Sequence, residues 1–108
     1  MEQVGELMAA IEIGQHQTIQ LLHQKDNTLI FSKHEFALSL GKPVLDTVLN
    51  YASREGSTKT VIFLIDEFKL DIRETGTFGQ NCVFAAIESS KFETANYLHS
   101  PGLAQLDA

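Results

Sequence analysis

Two stretches of this chain repeat one another 34 positions apart, and such self-similarity restricts a small protein to architectures made by stacking one unit. Thr47-Val48-Leu49-Asn50-Tyr51-Ala52-Ser53-Arg54-Glu55-Gly56 and Asn81-Cys82-Val83-Phe84-Ala85-Ala86-Ile87-Glu88-Ser89-Ser90 share the order of their apolar, small and polar positions. Each is followed by a second segment, Lys59 to Ile65 in one case and Glu93 to His99 in the other. A third copy stands at the start, Gly5 to Gly14, followed by Gln17 to His23. Each copy reads as two short helices around a stop. One such hairpin cannot bury its own apolar face, so about three must stack to make a core.

The local signals predict where the helices run. Leu7, Met8 and Ile11 follow a helical period from Glu2 to Ile13, and Gly14 ends that helix as a left-handed cap. A second helix is expected from about Gln17 to Gln24, with Ile19, Leu21 and Leu22 inward. Asp26-Asn27 reads as a turn. Ser32, with Glu35 three residues later, forms a capping box ahead of Phe36, Leu38 and Leu40, which predicts an inserted helix over about 32–41 closed by Gly41. Pro43 suits the first turn of the next helix, which ends at Gly56. Ser57 or Thr58 then caps a helix through Phe68. Val61 to Ile65 is β-branched and aromatic enough for a strand, but the cap before it and Asp66-Glu67-Phe68 after it favour a helix. Lys69 to Asn81, with Gly76 and Gly79, reads as a long turn. Helices from Cys82 to Ser89 and from Phe92 to His99 complete the chain, stopped by Pro101-Gly102.

This pattern resembles the ankyrin repeat, roughly T-P-L-H-x-A-A-x-x-G-x-x-E-x-V-x-x-L-L over about 33 residues. Asn81 to Leu106 aligns with it without a gap; Glu93 falls on the family's Glu and Gly102 on its helix-terminating Gly. Cys82 and Val48 stand where the family has Pro, and Phe84 and Asn50 where it has His. That His makes a turn-bridging hydrogen bond in the family, so these hairpins are expected to be less rigid. The resemblance implies an all-α, ankyrin-like solenoid of about three repeats, over residues 1–24, 43–74 and 76–107, in a single domain with the inserted helix between the first two. A second register, with Phe36 to Leu49 as a repeat around Gly41, fits as well. Repeats this eroded are similar to those of intracellular bacterial effectors.

Composition narrows the function. The net charge is −6 and the eight Lys and Arg residues are scattered. Nucleic acid is therefore not the expected partner, since that binding relies on clustered cations. One cysteine, Cys82, excludes an internal disulfide and fits a reducing compartment. Met1 to Ala10 contains no basic cluster, so no secretory signal is expected, and the longest apolar run is too short to span a membrane. The expected setting is a cytosol, either the cell's own or that of a host.

The catalytic motifs that the chain approaches are incomplete. Val61 to Glu67 resembles the apolar strand and Asp-Glu of a nucleotide-binding site, and Gly56-Ser57-Thr58-Lys59-Thr60 hints at a phosphate loop. Neither their order nor their spacing matches the motif. Cys82 could pair with His34 or His99 as a nucleophile, yet a Cys in this place more commonly packs as a small apolar group. His16, His23, His34 and His99 lack metal-ligand spacing. His16 and His23 read as part of a solvated face. No cofactor and no metal are expected.

Binding has more support. The resemblance implies a concave groove lined by hairpin tips and first helices, which places Thr77, Phe78, Gln80, Glu88 and Ser89 of the last copy at the partner. Arg54 and Glu55 of the middle copy match the last two. Aromatics dominate interface hot spots, so Phe78 is either an anchor or folded back on its neighbour. Val83, Phe84, Ile87, Phe92, Tyr97, Leu103 and Leu106 are many apolar groups for a terminal unit. They are expected to be covered by further repeats, by a second copy as a homodimer, or by a partner protein. The expected function is thus a protein-protein interaction module rather than an enzyme. The alternatives are a regulatory fragment whose active site lies elsewhere and a self-associating structural subunit.

Overall fold

The computed structural model describes residues 2–39, 42–76 and 79–99. They form α1 (Glu2–Ile13), α2 (His16–Lys25), β1 (His34–Ser39), β2 (Lys42–Asp46), α3 (Val48–Glu55), α4 (Thr58–Phe68), α5 (Cys82–Glu88) and α6 (Phe92–Leu98). The described fold is mostly helical, and its helices come in three consecutive pairs. α1 packs on α2, α3 on α4 and α5 on α6. The pairs are joined along one row by contacts of α1 with α3 and of α3 with α5, and along the other by α4 with α6.

Local chemistry sets the ends of these helices. Thr47 accepts a hydrogen bond from the Asn50 backbone N–H at the start of α3, Ser57 does so from Thr60 for α4, and Asn81 from Phe84 for α5. Each such cap satisfies an orphan donor and is worth about 0.5–2 kcal/mol. Thr47 and Asn81 are 34 positions apart, so the repeat seen in the sequence is also a repeat of caps. Gly14 has φ 76°, the left-handed stop expected of it, and α4 ends at Lys69 with φ 55°. Val61 to Ile65 lies within α4, as its flanks predict.

The expected inserted helix does not form: residues 34–39 are strand β1, paired antiparallel with β2. The pairing runs from His34 opposite Asp46 to Ser39 opposite Lys42, with an irregularity between Glu35 and Ala37. Three features explain the difference. Phe36, Leu38 and Leu40 are spaced by two, the period of a strand and not of a helix. The Ser32 hydroxyl bonds back to the Thr28 carbonyl at 2.8 Å, within a turn nucleated by the Asp26 carboxylate on the Thr28 N–H and hydroxyl. It is therefore not available as a cap for residue 35. Finally, Pro43 lies in β2 rather than in the first turn of a helix, and α3 begins only at Val48 behind its own cap.

Leu7, Ile11, Ile19 and Leu22 from the first pair meet Val48, Leu49, Ala52, Val61, Leu64 and Ile65 from the second in one core. Cys82 and Leu98 extend that core into the third pair, and Leu29, Ile30 and Ile72 close it from the connections. Full burial of a leucine or isoleucine is worth about 1.5–3 kcal/mol, so this shared core binds the pairs to one another.

Polar and aromatic ties reinforce it. The Tyr51 hydroxyl donates to the Glu12 carboxylate, joining α3 to α1. His16 stacks on Phe63 with centroids 4.3 Å apart and bonds the Thr60 hydroxyl, joining α2 to α4. His23 meets Phe31 and Phe68 edge-on, and Phe68 meets Phe63 in the same way. These two histidines are half-buried in an aromatic seam, not on the solvated face that the polar company of α2 suggests. Their neighbours come from α4 and the loop after α2, which local sequence does not reveal.

Candidate functional site

The most organised polar cluster lies where β2 passes into α3. Asp46, Asn50 and Arg54 recur every fourth residue, so Asn50 and Arg54 share one side of α3 and Asp46 stands at its head. Asp46 is 2% exposed. Its Oδ1 accepts from the Thr47 backbone N–H at 3.0 Å and from Asn50 Nδ2 at 2.7 Å. Its Oδ2 faces Arg54 Nη1 at 3.2 Å. A buried carboxylate needs such company, because its desolvation is otherwise uncompensated.

Asn50 extends the cluster to the next unit. Its Nδ2 also donates to the backbone carbonyl of Gln80 at 2.9 Å, and the same carbonyl accepts from the Gly76 N–H at 3.0 Å. The base of the 76–80 loop is thereby tied to α3. Gly76 sits so close to this cluster that a Cβ there would lie 2.6 Å from Asp46 Oδ1 and 2.9 Å from the Leu45 carbonyl. The expectation that Asn in place of His loosens the hairpin meets an amide whose two protons both cross-link it.

Of the expected partner-binding residues, Arg54 belongs to this cluster and Gln80 lends it a backbone carbonyl. Glu55 and Glu88 are exposed at the ends of α3 and α5, and Ser89 is half-buried at the C-cap of α5. Gln80 is half-buried where the loop re-enters the fold. Arg54 is turned inward: besides Asp46 it lies 3.7 Å from Glu55 Oε2 and 5.9 Å from the centre of the Tyr51 ring. Its guanidinium thus serves the internal cluster. Thr77 and Phe78 lie outside the described residues, as do Leu103 and Leu106. Sequence reasoning missed Asp46, although its spacing with Asn50 and Arg54 is visible in the chain.

Cys82 is fully buried, with its Sγ 3.5 Å from the Ile72 carbonyl. Burial raises the Tyr51 phenol above its ordinary pKa, and the hydrogen bond to Glu12 and the charges of Glu12 and Glu55 add to this. Tyr97 is raised by burial and by the charge of Asp66. Among the described residues, no three His, Cys, Asp or Glu side chains are grouped to hold a metal ion. No helix among them is long and apolar enough to cross a membrane.

No protein-family model and no curated protein matches this chain.

Proposed function

We propose that this chain is a divergent ankyrin-type stack that binds another protein through the face made by its loop bases and by the ends of α3 and α5. The observation that carries this reading is the Asn50 bridge. An amide at the position of the family's His spans from one helix pair to the loop of the next, as a stack requires if its loops are to present a fixed surface. The recurrence of the Thr47 and Asn81 caps at the repeat spacing supports the same reading. Preorganised loops bind with a smaller loss of entropy than mobile ones.

Charge gives the class of partner. The chain carries a net −6. Glu55 and Glu88 are exposed on this face, while its nearby cation Arg54 is held by Asp46. A segment bearing Lys or Arg complements such a surface and is steered to it. A cytosolic setting suits this role. The face itself provides no catalytic arrangement in this reading, and the chain acts by binding.

A photo-crosslinking residue placed at Ser89, compared with one at Glu67 on α4, tests the proposal in living cells. A discrete adduct from position 89 and none from position 67 is the expected result. Equal labelling from both positions would reject the face.

A further inference from the structure

We infer that Asp46, itself out of a partner's reach, sets the charge of the partner-binding face by withholding Arg54 from Glu55. The role rests on the face proposed above and names the residue that keeps it acidic, hence selective for a cationic segment.

Arg54 has two carboxylates within reach. Its Nη1 lies 3.2 Å from Asp46 Oδ2, while its Nε lies 3.7 Å from Glu55 Oε2. The Asp46 side chain is 3% exposed and that of Glu55 is 48% exposed. A pair sheltered from water is screened less than a surface pair, so the guanidinium belongs to Asp46. The anchor is also fixed. Asp46 Oδ1 accepts from the Thr47 N–H and from Asn50 Nδ2, and Oδ2 is turned to Arg54. Arg54 itself keeps 21% of its side chain exposed, so it has room to move outward.

Removing the Asp46 charge leaves Glu55 as the carboxylate beside the guanidinium. Asp46→Asn retains an oxygen for Thr47 and Asn50 but turns an N–H toward another N–H at Arg54. The released cation then pairs with Glu55 and neutralises one of the two exposed carboxylates that a partner's Lys or Arg would meet. Asp46 is thus a positioning residue: it touches no partner and acts through Arg54.

Titration with a fluorescent peptide of alternating Lys and Ser, at about 20 mM salt, tests this. Asp46→Asn should weaken binding about threefold, the scale of one partly exposed ion pair. Glu67→Gln on α4 makes the same change in net charge and should weaken it by less than about 1.5-fold. Asp46→Asn/Arg54→Gln, which returns the net charge to −6, should bind as the wild type does. Asp46→Asn no weaker than Glu67→Gln overturns the role, and so does a double variant as weak as Asp46→Asn. A double variant tighter than the wild type also overturns it, since Arg54 would then already neutralise Glu55. Circular dichroism checks each fold. The double variant leaves no unpaired buried charge, so its comparison with the wild type holds even where Asp46→Asn alone unfolds. Glu55→Lys/Glu88→Lys in the same titration separates the two readings. Undiminished binding there rejects the face and this role with it. Lost binding there, with Asp46→Asn unaffected, keeps the face and removes Asp46 from it.

Discussion

The Asn50 side chain and the Gln80 backbone carbonyl, 30 residues apart in the chain, meet at 2.9 Å. Asn50 Nδ2 also donates to Asp46 at 2.7 Å, so one amide holds a buried carboxylate and the loop of the next unit together. Asn50→Ala removes both bonds, while the Thr47 N–H still serves Asp46 and the Gly76 N–H still serves the Gln80 carbonyl. A hydrogen bond contributes about 0.5–1.5 kcal/mol net, so a loss of about 1–3 kcal/mol is expected in urea unfolding. A loss below about 0.5 kcal/mol would mean that the bridge is not part of the joint.

Gly76 is required by space rather than by a left-handed backbone. Its missing side chain leaves room for Asp46 Oδ1 and the Leu45 carbonyl. Gly76→Ala should cost about 1–3 kcal/mol, the range for forcing an extra carbon into a packed site. Gly79, whose Cβ would meet nothing within 4 Å but whose φ is 79°, isolates the other mechanism. Gly79→Ala should cost about 1–2 kcal/mol through backbone strain alone, and only Gly76→Ala should also expose the Asn50 amide proton to faster hydrogen exchange.

Alkaline pH should destabilise the fold through Tyr51. Its pKa in the folded chain is raised above the ordinary value of 10.0, first by burial and then by the Glu12 carboxylate. The stability linked to the neutral phenol is complete below pH 10 and is lost as the pH rises toward the folded value. Urea unfolding at about pH 8 and about pH 10.5 should show a drop in the wild type that is smaller in Tyr51→Phe. Some drop remains in that variant because Tyr97 is raised in the same direction. Equal drops in both proteins would remove Tyr51 from the account.

His23 is a place where the fold can be improved. Its Nδ1 is buried without a hydrogen-bond partner among the described residues, while its ring sits between Phe31 and Phe68. His23→Phe keeps the ring contacts and removes the unsatisfied nitrogen. A gain of about 1 kcal/mol is expected, or about 4–8 °C in Tm for a chain of this size. A lower Tm would show that the imidazole makes a polar contact essential to the seam.

Helix positions were legible where one local rule acted alone. Gly14 ended α1, Ser57 capped α4, and the 34-residue spacing aligned α3 with α5. The segment 32–41 failed because two rules competed. A capping-box match at Ser32 and Glu35 outweighed the period of two in Phe36, Leu38 and Leu40. The structure resolves the competition through the Asp26 turn, which engages Ser32 elsewhere. The polar cluster was half visible: Arg54 was marked for a partner, but its bond to Asp46 depends on β2 entering α3, a junction hidden behind the misread helix. His16 and His23 looked solvated because their aromatic neighbours come from another helix pair and from a loop.

Binding of a partner by the loop bases and the ends of α3 and α5 is read out by quantitative capture with three baits. These are the wild type, a Glu55→Lys/Glu88→Lys double variant and a Glu67→Lys control on α4, each compared against the same cell extract. At least one basic protein is expected to be retained by the wild type and the control and reduced about tenfold or more by the double variant. A retained set that is the same for all three baits would rule this face out.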